Sequence, residues 1–500
     1  MPETKTHRMI STYENQIWAS DPTQSLTSPP MMTNPETSPL DSQSKNKSSH
    51  CKSIVEREAI PFSIQQAFGE SFIGPYAVFL GAPKPLVAIL STVPLLFGAL
   101  LQPLALVIMS RFRDRSFVLF LLTFFQALIW VPIIGIGYAG WSGENAGYAL
   151  VASVILFYVI GMLGGPIWNS LVGDILEPSL RIDAFSRRNL YAGISMLVGF
   201  LVVGGILRWS AAKDLLLWGF TLTFVVAAVS RVVSSIMLKK HPSPPFTALD
   251  SDYFSFRQFL ERSYESNFLK FVIYVAVTNL AINISAPFIT VYLLRDLSLS
   301  YTDYSFAIAS GFVTQLFVTR RWGSILEEVG SRRVLMISSI GFALTPFLWL
   351  FSGHLWWLCF VSGLRGMLAI GYQISVSTFI FDAVTPGKRA RCAAYQSIVN
   401  NFSIVLGALF GGWIVSVVPR VDGLHTDSNI LLLFALSGAL NVITLAFLTS
   451  FKEVREVRHR PATSILFHLA SLRSLGEVLV RVGGSEKSLN NELSSRDVDV

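Results

Sequence analysis

Residues 174–181 read Asp-Ile-Leu-Glu-Pro-Ser-Leu-Arg, and residues 382–389 read Asp-Ala-Val-Thr-Pro-Gly-Lys-Arg. The acid, the proline and the arginine recur at one constant offset of 208 positions. The glycines that follow keep the same offset, as Gly199 and Gly204 in the first copy and Gly407 and Gly412 in the second. Five identities in fixed register indicate that the chain consists of two homologous halves.

Each copy lies in a block of six long apolar runs. A helix needs about 20 apolar residues to cross the hydrocarbon of a bilayer. Of the 500 residues, 52% are apolar and only 14% are charged, whereas soluble proteins average about 25% charged residues. This composition excludes a soluble multidomain enzyme. The predicted spans are 61–81, 86–109, 116–138, 147–171, 190–208 and 214–237, then 268–294, 301–320, 333–352, 355–380, 396–417 and 429–450.

Backbone polar groups have no water to bond inside lipid, so spanning segments of this length are expected to be helical. The predicted fold is therefore all-α and integral to the membrane. It has twelve transmembrane helices, arranged as two pseudo-symmetric six-helix bundles over residues 59–237 and 268–450.

Basic residues predict the orientation, because loops rich in Lys and Arg stay in the cytoplasm. One set of loops carries 17 basic residues and the alternate set carries five, namely Lys84, Arg208, Lys213, Arg295 and Arg420. Both termini are therefore expected in the cytoplasm. The net charge of +7 is explained by this asymmetry, so no nucleic-acid partner is predicted.

Three polar segments flank the two blocks. Residues 1–58 are rich in Ser, Thr and Pro, which predicts a disordered cytoplasmic tail. Residues 238–267 form a predicted cytoplasmic linker, with an amphipathic surface helix at 252–265. Residues 451–500 form a second cytoplasmic tail with apolar residues at near-helical spacing over 464–482.

The loop after the eighth span carries a motif of glycines, an acid and paired arginines, made of Gly323, Glu327, Gly330, Arg332 and Arg333. With the repeated halves, this motif resembles the major facilitator superfamily over roughly residues 60–450, in particular uncharacterised bacterial members. Ser331 stands where the family has an arginine. The resemblance implies a monomeric transporter of the bacterial inner membrane that works by alternating access.

Acids and arginines at the cytoplasmic helix ends suggest a gate. Glu327 with Arg332 and Arg333, and the repeat residues Asp174, Arg181, Asp382 and Arg389, are predicted to pair across the two halves. Such pairs would favour the outward-facing state and break when the bundles rock. The alternative is that the arginines only fix the topology.

Two ionisable residues are the main candidates for contact with substrate. Glu70 lies about ten residues into the first span and Arg365 about ten residues into the tenth, so each is about 15 Å deep. A charge at that depth costs at least a few kcal/mol unless it faces a cavity or a partner. Either the two residues pair, or Arg365 binds an anionic substrate while Glu70 takes a proton. A misplaced helix boundary is the alternative, since the side chain would then reach an interface.

Neutral polar groups complete the predicted site. Gln65 and Gln66 lie near Glu70, Asn279 and Asn283 share one face of the seventh span, and Gln373 lies on the tenth. Hydrogen bonding between helices is the alternative role for each of them.

Several expected features of other protein classes are missing from the sequence. There is no Gly-x4-Gly-Lys-Ser/Thr loop for ATP and no metal spacing among the His residues, so no cofactor, metal or enzymatic activity is predicted. The fifth span lacks the Gly-Pro-x2-Gly-Gly pattern of drug–proton antiporters. The prediction is a secondary active transporter of a small solute, with protons as one candidate coupling ion. The alternative is a membrane sensor or assembly factor that has the fold without transport.

Overall fold

The computed structural model describes residues 39–112, 114–244, 267–384, 386–418 and 428–453, and all regular structure within these ranges is helical. A compact body begins at His50, and the description below concerns that body. The linker helix at 252–265 and the apolar pattern at 464–482 lie outside the described residues.

In the described part of the first half, nine helices account for the first six predicted spans. They are α1 (Pro39–Phe68), α2 (Ile73–Phe79), α3 (Lys84–Leu101), α4 (Leu104–Arg111), α5 (Arg115–Leu128), α6 (Trp130–Tyr138), α7 (Gly143–Ile175), α8 (Pro178–Ala211) and α9 (Leu216–Lys239). Three predicted spans consist of two helices each, because Gly69, the Gln102–Pro103 pair and Ile129 interrupt them.

The described residues of the second half form six longer helices, which are α10 (Asn267–Asn283), α11 (Tyr301–Val329), α12 (Ser331–Leu348), α13 (Leu355–Ala383), α14 (Pro386–Val417) and α15 (Ile430–Thr444). Single helical turns extend α10 through Ala286–Phe288, Ile289–Val291 and Tyr292–Asp296. Pro287 lies at this break, as expected for a residue that lacks the N–H needed to continue a helix.

Nine of the described helices or helix pairs are long and apolar enough to cross a membrane. This agrees with an integral membrane protein of the predicted all-α class. Three further predicted spans are helical but do not reach that length and apolarity, namely 61–81, 301–320 and 333–352. The first is broken at Gly69, and the other two carry more polar residues. A count of twelve membrane crossings therefore stays a prediction.

The repeat occupies equivalent places in the two halves. Asp174 and Asp382 are the last residues but one of α7 and α13. Pro178 and Pro386 are the first residues of α8 and α14, the position where a proline ring suits the start of a helix. The two halves therefore share one fold, as the sequence predicted.

The prediction of disorder over residues 1–58 is wrong for residues 39–58, which belong to α1. The reason is an apolar stripe at a spacing of four residues. Cys51 and Val55 are buried against Val172, Leu176 and Ala184, so residues 51–58 do bury apolar surface. Residues 1–38 lie outside the described part of the chain.

The two halves meet along two helix pairs, in which α3 packs against α14 and α8 packs against α11. Each half contributes its second and its fifth predicted span, as the repeat requires. Aromatic rings fill part of the junction, with Phe72 and Phe200 against Tyr304 and Phe220 against Tyr301.

Within the second half, α14 lies unusually close to α10. A Cβ atom on Gly407 would meet the backbone carbonyl of Leu280, and one on Gly411 would meet that of Ile284. We expect Gly411→Ala to lower the stability by about 1–3 kcal/mol, because the two backbones must separate. Gly165→Ala on α7 is the matched control, since nothing lies within 4 Å of its added methyl group. Thermal unfolding of both variants in detergent tests this, and equal melting temperatures would contradict it.

Candidate functional site

Arg365 on α13 lines three adjoining cavities in the second half. The larger two have volumes of about 320 Å³ and 190 Å³, and a third of about 20 Å³ lies beside Trp349. Among the described residues, the Arg365 guanidinium has neither a carboxylate partner nor a hydrogen bond within the protein. A cation in this position is available to an anion that enters the cavity.

The largest cavity carries polar groups beside Arg365. The Tyr372 hydroxyl and the Asn400 Oδ1 are buried without hydrogen-bond partners. Asn279 and Gln373 also line this cavity. Buried polar groups usually have partners, so this cavity offers unused hydrogen-bonding capacity around one positive charge.

The structure thus brings three of the predicted residues, Arg365, Asn279 and Gln373, to one cavity. Asn283 differs from them, because its side-chain amide donates to the Asn279 carbonyl at 2.8 Å within the same helix. Sequence reasoning missed Tyr372 and Asn400. Their positions on α13 and α14 gave no signal in the sequence, since neither is charged.

Glu70 lies in the first span where the helix is interrupted. α1 ends at Phe68, and a single turn Glu70–Phe72 connects it to α2. The Glu70 carboxylate accepts hydrogen bonds from Gln65 Nε2 at 3.1 Å and from the Tyr158 hydroxyl at 3.3 Å. Gln65 rather than Gln66 contacts Glu70, because the break brings a residue five positions earlier next to the carboxylate.

Glu70 and Arg365 do not pair in this conformation. Gln65 and Tyr158, both from the first half, are bonded to the Glu70 carboxylate, whereas the described cavities around Arg365 contain no acid. The expectation of a direct pair is therefore not met in this conformation, and separate roles for the two residues stay a prediction.

Arg231 on α9 is a buried cation that sequence reasoning missed. It is 7% exposed, and its guanidinium donates to Gln126 Oε1 at 2.8 Å and 2.5 Å. The signal was a charged residue inside the predicted span 214–237.

The predicted gate residue Asp174 forms a pair inside its own half. Its carboxylate lies 2.7 Å from the guanidinium of Arg115, which is fully buried and also donates to Ser170 and to the Pro244 carbonyl. The expectation that Asp174 pairs across the halves is therefore not met in this conformation. Arg115 instead connects the start of α5 with the segment that follows α9.

Arg332 is likewise engaged within its own half. Its guanidinium donates to the Leu448 carbonyl at 3.0 Å, and its backbone N–H donates to the Glu453 carboxylate at 2.7 Å.

Gly330 has a φ of 86° between α11 and α12, a backbone conformation that favours glycine. Gly323 and Asp382 are half-buried, and Arg333 has partners of its own. The side chains of Glu327, Arg181 and Arg389 lie outside the described part of the structure.

An ionic contact between the halves lies at the opposite end and involves Lys84, which sequence reasoning treated only as a topology marker. Lys84 Nζ lies 3.0 Å from Asp296 Oδ2 and donates to Asn429 Oδ1 at 3.0 Å. Ser428 donates to the same Asp296 carboxylate. Arg295 donates to the Ala82 carbonyl at 3.0 Å. We call Lys84, Asp296, Asn429 and Ser428 the Lys84 clamp.

Residues 271–482 match the family model described as Major Facilitator Superfamily. The resemblance to that superfamily is confirmed. The match covers most of the second half, where the motif residues and Arg365 lie. The chain is an integral, multi-pass membrane protein with this superfamily's helical fold.

Two curated relatives are similar to part of this chain. Quinolone resistance protein NorA of Staphylococcus aureus (strain MRSA252) is 26% identical over 183 residues, covering 36% of this chain and 43% of NorA. Efflux pump azaK of Aspergillus niger is 30% identical over 179 residues, covering 35% of this chain and 37% of azaK. The matched region spans less than half the length of either relative.

A solved structure extends the likeness to most of the chain. The nucleoside transporter NupG superposes with a TM-score of 0.64 over 80% of this chain and 100% of its own. The two sequences are 13% identical, so this likeness concerns the fold alone.

Proposed function

We propose that this protein is a secondary active transporter that moves a small organic anion by alternating access between its two halves. The observation that carries the proposal is the unpaired Arg365 guanidinium at the junction of three cavities. A half-buried cation without a protein partner is costly. A substrate carboxylate or similar anion would supply the missing partner.

The cavity lining favours an organic anion over an inorganic one. Phe342, Trp349 and Phe312 line the walls beside Arg365, and aromatic walls stabilise an apolar body. Ligand pockets have volumes of about 300–1,000 Å³, so a largest cavity of about 320 Å³ suits a small solute. A cationic substrate is disfavoured because Arg365 would repel it.

Glu70 is the proposed proton site. It is a carboxylate in the first span, bonded by neutral donors from Gln65 and Tyr158. An acid in this position can alternate between a charged and a neutral form as the site opens to either side. Proton binding at Glu70 and anion binding at Arg365 would then occur in opposite halves of the protein.

The proposed transport cycle needs an outward-open and an inward-open state. The contacts between the halves indicate which of the two this conformation is. The Lys84 clamp joins the halves at one end. Gln373 and Ser377 line the largest cavity and are exposed toward the other end, where the basic loops lie. If those loops are cytoplasmic, this state is open to the inside and closed to the outside.

Exposed tryptophans support this placement in the membrane. The described tryptophans with more than half of their surface exposed are Trp141, Trp209, Trp218, Trp356 and Trp413. All five lie at the end that carries the Lys84 clamp. Tryptophan is enriched where a bilayer meets water, so this end is proposed to lie at the outer interface. NorA and azaK are named for resistance and efflux, which favours export as the direction.

Transport by the full chain in proteoliposomes tests the proposal. We expect uptake of radiolabelled benzoate to be driven by a proton gradient, because the gradient moves protons through Glu70. Glu70→Gln is expected to lower the gradient-driven uptake rate about tenfold or more, since a side chain that transfers protons contributes at least this factor to a rate. Glu144→Gln is the matched control, because Glu144 is exposed in the first turn of α7.

Two outcomes would contradict the proposal. A gradient-driven rate that is unchanged in Glu70→Gln would remove the proton role. No flux of benzoate, hexanoate or a nucleoside monophosphate, from protein that is folded by thermal unfolding, would favour the non-transporting sensor instead.

A further inference from the structure

Tyr372 and Asn400 give the largest cavity two polar groups that an anion at Arg365 does not use. Both residues line the cavity of about 320 Å³ that also contains Arg365. Tyr372 is 9% exposed, and its hydroxyl is buried without a hydrogen-bond partner among the described residues. The Asn400 Oδ1 is buried and lacks a partner there as well. Because unsatisfied buried polar atoms are costly, both groups are available to a ligand.

The face of α13 that borders this cavity separates the charge from the hydroxyl. Arg365, Ala369 and Tyr372 follow one another at spacings of four and three residues, and all three line the cavity, as residues on one helix face do. Seven residues correspond to a rise of about 10.5 Å. The ring of Phe342, which also lines the cavity, contacts the Tyr372 ring with 5.6 Å between the ring centroids. A cation and a hydroxyl therefore lie about two helical turns apart, with apolar surface between them.

Asn400 lies at a similar depth to Tyr372 on the neighbouring helix. Since α13 ends at Ala383 and α14 begins at Pro386, depth can be counted from this short connection. Tyr372 lies 11 residues before the end of α13, and Asn400 lies 14 residues after the start of α14. The difference corresponds to about 4.5 Å, which is less than one helical turn.

The two groups differ in what they can bond. The Tyr372 hydroxyl can donate or accept a hydrogen bond, whereas the Asn400 Oδ1 can only accept one. A ligand hydroxyl matches both, because it can accept from Tyr372 and donate to Asn400. A second carboxylate has no proton to donate and would leave the Asn400 oxygen unsatisfied.

We propose that this cavity selects a hydroxylated organic acid whose hydroxyl lies at the end away from its carboxylate. The carboxylate binds Arg365, the apolar body lies along Ala369 and Phe342, and Tyr372 and Asn400 are the residues that determine specificity for the hydroxyl. This inference deepens the proposed function and rests on the anion site at Arg365. A site built to bond a hydroxyl rejects an analogue without one, because its own polar groups are then left unpaired.

Three radiolabelled ligands test the selectivity by equilibrium binding to the purified full chain in detergent. We expect 4-hydroxybenzoate to bind about tenfold more tightly than benzoate, because it adds hydrogen bonds to two unsatisfied groups. We expect 2-hydroxybenzoate to bind no more tightly than benzoate, because its hydroxyl lies beside the carboxylate. Equal affinities for 4-hydroxybenzoate and benzoate would overturn this inference and leave the anion site intact. Binding of none of the three would overturn the anion site and the inference with it.

Two variants test the assignment of the residues. Tyr372→Phe keeps the ring and removes the hydroxyl, so the preference for 4-hydroxybenzoate over benzoate should fall from about tenfold to about twofold or less. Tyr274→Phe is the matched control, since its equally buried hydroxyl already bonds Ser339 and it lines none of the three cavities. Its preference should stay about tenfold.

Asn400→Leu keeps the size of the side chain, removes the acceptor and should lower the same preference. It also provides the test if Tyr372→Phe does not fold. A preference that persists at about tenfold in the folded variants would show that the hydroxyl binds elsewhere, and it would overturn the roles of Tyr372 and Asn400.

Discussion

Arg365→Gln is expected to weaken the binding of benzoate by about 100-fold. The substitution keeps a polar side chain of similar length but removes the only charge that the described residues present to the three cavities. A hydrogen bond to a charged group contributes about 1.5–3 kcal/mol, and each 1.4 kcal/mol is a factor of ten in affinity. Arg365→Lys should lower the affinity for benzoate by about tenfold, because an ammonium group lacks the planar guanidinium geometry that matches a carboxylate.

Trp349 provides the measurement. Its indole lines two of the cavities beside Arg365, so its fluorescence should change when a ligand enters, and Trp349→Phe should remove the signal. Benzamide is the neutral ligand control and is expected to bind equally weakly to both proteins. Arg208→Gln is the protein control, since it removes one exposed charge at the far end of α8. Equal affinity of the wild type and Arg365→Gln for benzoate would rule out the proposed anion site.

Lys84→Met is expected to open the end of the protein that the Lys84 clamp closes. The lysine and Asp296 side chains are 15% and 6% exposed, so the pair is largely removed from water. Removal of one partner from such a pair costs about 3 kcal/mol, which is more than 100-fold in an equilibrium constant. The state in which this end is open does not contain the pair and should therefore be favoured.

Spin labels at residues 211 and 354 report the opening, because both positions are exposed, lie at this end and belong to different halves. The three native cysteines are first replaced by serine. Lys84→Met should lengthen the main distance between the labels, and the exchanged pair Lys84→Asp/Asp296→Lys should restore it. Lys213→Met is the control, since Lys213 is exposed at the same end. An unchanged distance distribution in Lys84→Met would show that the clamp does not hold this end closed.

The helical architecture was predictable because its causes are local. Long apolar runs must form helices in lipid, and the repeated Asp and Pro residues mark equivalent helix ends in both halves. Arg365 was predictable for the same reason, since a charge deep in an apolar run is costly wherever the helix packs.

The partners of the charged residues were not predictable, because pairing depends on which helix faces meet. Asp174 was expected to pair across the halves but lies against Arg115 in its own half. Lys84 was expected only to mark topology but lies against Asp296, which is 212 positions away. No periodicity along the chain encodes such distances.

The sequence by itself determined that this is a membrane protein of two homologous helical halves, because hydrophobicity and repetition are properties of the chain alone. Only the tertiary structure decided that Arg365 remains unpaired, that Gln126 binds Arg231 and that Lys84 joins the halves. The strength of a buried charge's interactions depends on the distance to its partner and on the exclusion of water. Both quantities are set only when the helices have packed.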